Sequence, residues 1–198
     1  MSENLTRCEW CINDELMTKY HDEEFGTPTH DDYKQFEHLM LECLQCGLNW
    51  QYVIRRRHIF RSCFDRFDFE RVALYDEHDI SRILKTEGML KSQRKIEAII
   101  NNAKRFKDIR REFGSFSDYI WSYVDNVPIT YKSHSSGNIP AENELSRHIA
   151  KDLKSRGFKY VGAVTIYSHL QGVGIINDHV ESCFRYNELA KNTLVVYV

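Results

Sequence analysis

The sequence predicts an all-α protein, and three observations favour this fold class. Between Asp32 and Gly47, apolar residues recur at the three-and-four spacing of a buried helix face. On both sides of Gly88, apolar runs are spaced as in a helix, a tight turn and a second helix. Alternation of apolar and polar residues, which would indicate strands, occurs at most over 193–197. We therefore expect helices along nearly the whole chain.

Length, charge and cysteine content narrow the possible functions. The 198 residues, 42% of them hydrophobic, can bury one good core, and we expect one domain over 1–198. The net charge of −2 argues against coating nucleic acid by bulk electrostatics, although local basic clusters can still bind phosphates. A polar start and no apolar stretch of membrane-spanning length predict an intracellular protein without a membrane partner. In that setting, the six cysteines indicate free thiols or metal ligands.

The helix expected from Asp32 carries the candidate active centre. Gln35, three residues further on, is the expected partner of its N-terminal cap. Glu42 lies on the flank of the apolar face, where a carboxylate would be partly desolvated, and Trp50 follows the expected helix end near Gly47. A lone glutamate on a helix flank is usually a solvated charge. This stretch alone therefore leaves a binding role and a surface role open.

Further helices are expected on both sides of this central helix. Polar loops are expected over 21–28 and over 126–140, where glycine, proline and small polar residues gather. The remaining helical segments are expected at 13–20, 51–64, 80–88, 92–103, 116–123, 142–156 and 163–172.

A hairpin of two helices near 77–104 is a candidate DNA-binding element. Gly88 suits the end of the first helix, and Ser92 can cap the second. The unpaired amides of the second helix's first turn form an anion site for DNA phosphate. An ordinary helix pair with an exposed turn explains the same pattern equally well. The residues expected at the DNA backbone are Gly88, Lys91, Arg94 and Lys95.

Two arrangements of cysteine and histidine compete for a metal. The first pairs the Cys-x2-Cys motifs at 8–11 and 43–46, but the second motif lies inside the central helix, where its thiols are expected to be small apolar fillers. The second joins the two ends of the chain, and its last two members, four residues apart, would face one way in a helix. Spacing alone does not decide between them. The second set is Cys8, His21, His179 and Cys183.

Several motifs along the chain resemble those of a known family. In order and spacing they resemble the DNA-3-methyladenine glycosylase I family, over about residues 7 to 184. The motifs are Cys8-x-Trp10, Tyr20-His21-Asp22-x-Glu24-x-Gly26-x-Pro28, Leu41-Glu42, Gly47-Leu48-x-Trp50, Lys95-Ile96-x-Ala98-Ile99-Ile100-x-Asn102-Ala103, Arg156-Gly157-Phe158-Lys159-Tyr160-Val161-Gly162 and Asn177-Asp178-His179-x-x-x-Cys183.

The resemblance implies a helix-hairpin-helix DNA glycosylase fold with two helical lobes. It also implies that the protein excises 3-methyladenine from double-stranded DNA. It also implies one structural zinc ion that joins the N- and C-terminal segments. The family's base-recognition residues fall on Tyr20, Glu42 and Trp50, with Trp10 and Phe25 as further aromatic wall. Position 25 is usually tryptophan in this family, and Phe25 keeps the ring but lacks the N–H donor. The zinc ligands fall on Cys8, His21, His179 and Cys183.

Chemistry supports this reading of the residues. N3-methylation makes the purine cationic, and aromatic faces such as Tyr20 and Trp50 attract cations. The Glu42 carboxylate can accept a hydrogen bond from the amino group of adenine and is also the candidate catalytic group. No aspartate can be assigned to water activation, because Asp178 is expected to support His179 or to cap a helix.

Two other functions share these features. A zinc-stapled module could recognise damaged DNA without excising the base, and a zinc hydrolase would need three protein ligands and an open position. If the glycosylase reading holds, we expect a monomer in the bacterial cytoplasm, associated with the nucleoid through its DNA substrate.

Overall fold

The computed structural model of this chain describes residues 5–134, 136–191 and 193–197. The described residues form ten α-helices and two short strands, which confirms the all-α prediction. The predicted domain limits, 1 and 198, lie outside the described residues, as does Ser135 in the expected loop 126–140. The helices are α1 (Glu15–Glu23), α2 (Asp32–Gln45), α3 (Trp50–Cys63), α4 (Phe69–Val72), α5 (Glu77–Lys85), α6 (Gln93–Phe113), α7 (Phe116–Ser122), α8 (Glu144–Ser155), α9 (Ala163–Gly172) and α10 (Phe184–Ala190), and the strands are β1 (Ile129–Tyr131) and β2 (Leu194–Val196).

Helix α2 lies at the centre of the fold. It contacts α3, α6, α7 and α9, and every residue from Gln35 to Leu44 is buried. The surrounding core contains many aromatic side chains: Phe106, for example, stacks on Phe116 with ring centroids 4.2 Å apart. Between Gln35 and Leu44 the helix has no solvent-facing flank. The flank on which the sequence places Glu42 is therefore covered as well.

Two adjacent aspartates at the start of α2 have different roles. Asp31 caps α2, since its side chain accepts hydrogen bonds from two backbone N–H groups of the first turn at 2.8 and 3.2 Å. Asp32 accepts two backbone N–H groups at the start of α7, which fixes that helix against α2. The expected capping partner Gln35 instead donates to the carbonyl oxygen of Thr29 at 2.9 Å, so that prediction was wrong.

Helices α5 and α6 form a pair joined by a tight turn at Gly88. The φ angle of Gly88 is +76°, and a Cβ there would lie 2.5 Å from Cδ1 of Ile59, so the turn requires glycine. Ser92 occupies the N-cap position of α6, but its side chain makes no capping hydrogen bond, contrary to the prediction. No helix in the described part of the chain combines the length and apolar character needed to cross a membrane.

The two strands pair in parallel and hold the C-terminal segment against the segment after α7. Ile129 lies opposite Leu194. Strand β2 falls within the segment 193–197, where the sequence allowed a strand, whereas β1 falls in a segment expected to be a loop. Three residues are too few to show an alternating pattern, so β1 left no signal in the sequence.

A second, smaller apolar cluster lies apart from the main core. It consists of Cys11, Met17, Tyr20 and Ile54. Trp50, at the start of α3, packs against both clusters. A cavity opens at the border between the two clusters.

Candidate active site and metal centre

A cavity of about 310 Å³ opens between α1, the C-terminal half of α2, the start of α3 and α9. We call it the aromatic pocket. Its volume is typical of sites for small molecules. All five residues that the sequence assigns to base recognition line it, together with five that the sequence analysis missed. The lining residues are Trp10, Met17, Tyr20, Phe25, Glu42, Gln45, Trp50, Ile139, Ser168 and Gln171.

Four aromatic side chains form the walls of the aromatic pocket. The ring centroids of Tyr20 and Trp50 are 5.5 Å apart, and those of Trp10 and Phe25 are 5.1 Å apart. Interplanar angles of 58° and 72° show that these rings meet at an inclination and do not fill the cavity as a stack. Trp10 is 42% exposed and Tyr20 only 4%, so Trp10 lies near the mouth and Tyr20 lies deep.

Glu42 is the only acid among the residues that line the aromatic pocket in the described part of the chain. Its side chain is 4% exposed, and its Oε2 has no hydrogen-bond partner among the described residues. Desolvation raises the pKa of Glu42 from 4.5 to about 8. A half-buried carboxylate was expected from the sequence. Burial is deeper because neighbouring elements cover α2 from Gln35 to Leu44, and Glu42 is therefore mostly protonated at pH 7.

Behind Tyr20 lies a pair of buried histidines that the sequence analysis missed. The Tyr20 hydroxyl is 3.0 Å from Nε2 of His38, and Nδ1 of His38 is 3.3 Å from Nδ1 of His169. Burial lowers the pKa of His38 well below its usual range and that of His169 to about 3, so both rings are neutral at pH 7. Desolvation likewise raises the pKa of Tyr20, which keeps its proton.

Asp178 is fully committed to structural hydrogen bonds. It accepts from Nδ1 of His134 at 2.8 Å, from the Tyr167 hydroxyl at 2.6 Å and from Nε2 of Gln171 at 2.9 Å. The expectation that it supports His179 or caps a helix was wrong, since its partners are these three side chains. Through Gln171, which lines the aromatic pocket, Asp178 helps to fix the pocket wall.

The second cysteine–histidine set comes together at the junction of the chain ends. The ligand atoms of its four residues lie within 4.8 Å of one another, all are buried, and the cluster could hold a metal ion. Nδ1 of His179 is 3.2 Å from Nε2 of His21 and 3.6 Å from Sγ of both cysteines. Sγ of Cys183 is 3.4 Å from Nε2 of His21. The four residues are Cys8, His21, His179 and Cys183.

Both histidines of this cluster have their other ring nitrogen engaged. Nδ1 of His21 lies 2.8 Å from a carboxylate oxygen of Asp22, which Arg7 holds in turn at 2.8 Å. Nε2 of His179 lies 3.0 Å from the carbonyl oxygen of Phe25. With protons on those outer nitrogens, the inner nitrogens are free to bind a metal, as is usual for metal-binding histidines.

The local conformation around this cluster differs from the expectation. A helix was expected to bring His179 and Cys183 to one side, but 177–180 has no regular secondary structure and 181–183 turns, with the N–H of Cys183 donating to the carbonyl of Val180. The competing Cys-x2-Cys arrangement is not assembled. Cys43 contacts the backbone at residue 160, and Cys46 contacts the Glu42 carbonyl.

The basic residues of the α5–α6 turn have different environments. Lys91 is exposed, and its ammonium group donates to two carbonyls at the C-terminal end of α5. Arg94 is exposed in the first turn of α6. Lys95 is half-buried and donates to the carbonyls of Leu44 and Cys46, both at 2.6 Å. The turn is therefore tied to the C-terminal end of α2.

A family model for methyladenine glycosylases matches residues 10–186. The chain belongs to this family. DNA-3-methyladenine glycosylase 1 of Escherichia coli (strain K12) is 38% identical over 182 residues, which are 92% of this chain and 97% of that protein.

Solved structures of methyladenine glycosylases share the fold. A crystal structure of 3-methyladenine DNA glycosylase I superposes with a TM-score of 0.86 at 41% identity and covers 90% of this chain and 98% of that one. The Staphylococcus aureus 3-methyladenine DNA glycosylase I, studied for its recognition of 3-methyladenine, gives a TM-score of 0.85 at 30% identity over 92% and 97%. The family likeness therefore extends over nearly the whole chain, including the aromatic pocket.

Proposed function

We propose that this protein is a DNA-3-methyladenine glycosylase, which hydrolyses the N-glycosidic bond of 3-methyladenine in alkylated double-stranded DNA and leaves an abasic site. The observation that carries the proposal is Oε2 of Glu42, which lies at the bottom of the aromatic pocket and has no hydrogen-bond partner in the part of the chain that the structure describes. A buried polar atom without a partner is costly in a folded protein. A bound cationic base with an amino group would supply the missing partner.

The charge of the base accounts for both recognition and chemistry. Inclined aromatic walls favour a cation by about 1–2 kcal/mol each when water is excluded. A positive base next to Glu42 also favours the ionised carboxyl, so the proton of Glu42 is expected to leave as the base enters. A neutral adenine offers neither gain, which gives selectivity for the damaged base.

The same charge makes the base a good leaving group. When the glycosidic bond breaks, its electron pair passes to the base, which leaves neutral, and water adds to C1′ with loss of a proton. No general acid is needed for that step. The Glu42 carboxylate stabilises the positive charge of the bound base and orients it, while Tyr20 and Trp50 hold its faces and Trp10 and Phe25 complete the wall.

We further propose that the metal is zinc and that its role is structural. Around a tetrahedral zinc ion, two nitrogen ligands would lie about 3.4 Å apart, and a nitrogen and a sulfur about 3.6 Å, given bonds of about 2.05 and 2.3 Å. The corresponding distances of 3.2, 3.4 and 3.6 Å support this assignment. Four protein ligands leave no open position, which argues against a zinc hydrolase. When bound, the ion would join the first and last segments of the chain.

The α5–α6 turn is proposed as a helix-hairpin-helix element that binds the DNA backbone. The Gly88 turn and the exposed Arg94 support contacts to phosphate. Lys91 donates to two carbonyls of its own helix pair, but it is exposed and adds positive charge beside the turn. Lys95 is better suited to fixing this element to α2, because it is half-buried and its ammonium group binds two carbonyls at the C-terminal end of that helix. The protein would act as a monomer in the cytoplasm of a bacterium, on DNA of any sequence.

Base release tests the proposal directly. Metal-loaded protein is incubated with double-stranded DNA that has been methylated chemically, and the released bases are separated by chromatography. We expect free 3-methyladenine from wild-type protein, a large loss in Glu42→Gln, and full activity in Glu15→Gln, a matched change at an exposed position on α1. DNA binding without any released base would support the alternative of a damage-recognition module and refute the glycosylase.

A further inference from the structure

We propose that His38 and His169 are positioning residues, which hold the Tyr20 hydroxyl as a hydrogen-bond donor toward the aromatic pocket. This inference rests on the proposed base-binding function and adds a layer to it. Neither histidine lines the aromatic pocket in the described structure. Their influence on a bound base would therefore pass through Tyr20.

Hydrogen bonds connect Tyr20, His38 and His169 in one continuous chain. Nε2 of His38 lies 3.0 Å from the Tyr20 hydroxyl, and its Nδ1 lies 3.3 Å from Nδ1 of His169. All three side chains are buried, with exposed fractions of 4%, 5% and 0%. Water therefore does not compete strongly for these bonds.

The surroundings of His38 indicate which of its ring nitrogens carries the proton. Nε2 of His38 faces two oxygens, the Tyr20 hydroxyl at 3.0 Å and Oε1 of Glu42 at 4.0 Å. When a cationic base is bound and Glu42 is ionised, a proton on Nε2 is attracted to both oxygens, whereas a bare nitrogen there would face the Glu42 carboxylate with a lone pair. The network therefore assigns the Nε2–H tautomer to His38, which donates to the Tyr20 oxygen.

The surroundings of His169 indicate the same tautomer for His38. With its proton on Nε2, His38 has a bare Nδ1 that accepts the Nδ1–H of His169. The remaining Nε2 of His169 is then bare, and among the described residues it has no hydrogen-bond partner. The opposite assignment would leave a buried N–H without an acceptor, which is rare in folded proteins. The unpartnered Nε2 of His169 and the two oxygens near Nε2 of His38 thus both indicate that His38 donates its hydrogen bond to Tyr20.

The fold also reserves space for this arrangement. A Cβ on Gly172, the last residue of α9, would lie 1.9 Å from Nε2 of His38. Glycine within a helix costs about 1 kcal/mol relative to alanine. Its presence at this position is explained by the imidazole that fills the place of the methyl group.

The orientation of the Tyr20 hydroxyl determines which edge of a bound base the aromatic pocket can recognise. Because the Tyr20 oxygen accepts from His38, its own O–H is free to donate into the aromatic pocket, close to the accepting Glu42. A donor beside an acceptor complements the adenine edge that carries the N7 acceptor and the N6 amino group. A guanine, with two acceptors on that edge, would not fit the pair.

A double-mutant cycle tests the pair. Binding of free 3-methyladenine is measured by titration calorimetry on metal-loaded wild type, Tyr20→Phe, His38→Leu and the double variant. We expect His38→Leu to weaken binding about three- to tenfold, the value of one hydrogen bond, and by less than about twofold when Tyr20 is already phenylalanine. His38→Gln, whose amide can donate from a similar place, should restore affinity to within about twofold of wild type.

The outcomes separate this inference from the proposed function. An equal loss from His38→Leu in both backgrounds, or no rescue by glutamine, would show that His38 acts through packing and would overturn the inference alone. Wild-type protein that neither binds nor releases 3-methyladenine would overturn the proposed function and this inference with it. Nitrogen-15 spectra of histidine-labelled wild type give a check that needs no variant: an Nδ1–H tautomer at His38 would refute the assignment.

Discussion

Replacing Glu42 by glutamine is expected to stabilise the protein increasingly as the pH rises. Burial raises the pKa of Glu42 from 4.5 to about 8, so the unfolded chain releases this proton more readily than the folded one. Between these two values, stability falls with rising pH, because the folded state must hold a proton that the unfolded state loses. Glutamine cannot ionise, so Glu42→Gln escapes this loss.

The magnitude follows from the same two values. With about 1.4 kcal/mol for each tenfold change in proton affinity, the cost of Glu42 is about 1 kcal/mol near pH 5.5, about 3 kcal/mol at pH 7 and about 4–5 kcal/mol near pH 8.5. Any pH-independent effect of the amide cancels when these conditions are compared. The advantage of the variant should therefore grow by about 3 kcal/mol from about pH 5.5 to about pH 8.5.

Urea unfolding of wild type and Glu42→Gln at several pH values measures this difference, provided that the slopes against denaturant agree. Glu15→Gln is the control, because Glu15 is exposed on α1 and its removal should leave the pH dependence of wild type unchanged. A constant difference between wild type and Glu42→Gln at every pH would refute the reasoning. It would mean that the ionised carboxyl finds compensation in the folded protein that its surroundings do not show.

Further expectations concern the metal and the helical turn. Cys183→Ser should abolish metal binding and lower the midpoint of thermal unfolding by about 10 °C, with Cys46→Ser as a control; metal analysis and calorimetry test this, and retained stability without metal would contradict it. Arg94→Gln should reduce the dependence of DNA binding on salt by about one unit of log–log slope without altering stability, and an unchanged slope would exclude a phosphate contact. Lys95→Met should have the reverse profile, lowering the free energy of unfolding by about 1–3 kcal/mol because two carbonyls lose their donor; unchanged urea unfolding would argue against that role.

The sequence was sufficient to predict the architecture and the residues that meet. The periodicity of α2 is strong because that helix packs on many others, and α9 was predicted with its bounds at 163–172. Residues near 8–21 and 179–183 could be paired only through the resemblance to a family, since no local pattern reports a contact across so much of the chain. The structure then brings those ligand atoms within one cluster.

What the sequence could not reveal depends on contacts between distant elements. Glu42 looked like a flank residue because periodicity describes one helix and not what covers it. His38 and His169 are separated by 131 positions and lie on different helices, so nothing in either neighbourhood indicates that their rings meet. Gly172, a glycine at the end of a helix, was the one local sign of this contact. It becomes informative only once the structure shows that the His38 ring lies where a side chain at position 172 would begin.

The anchoring of Lys95 bears on how the enzyme would search DNA. Its ammonium group binds carbonyls at the C-terminal end of α2, and its backbone belongs to the first turn of α6. This one side chain would therefore set the distance between the proposed DNA-backbone contact and the aromatic pocket. An extruded nucleotide is tethered to the phosphates beside it and has a fixed reach. A fixed distance between the two sites would therefore select the nucleotide. Only the base whose own phosphates lie at the α5–α6 turn could reach the aromatic pocket.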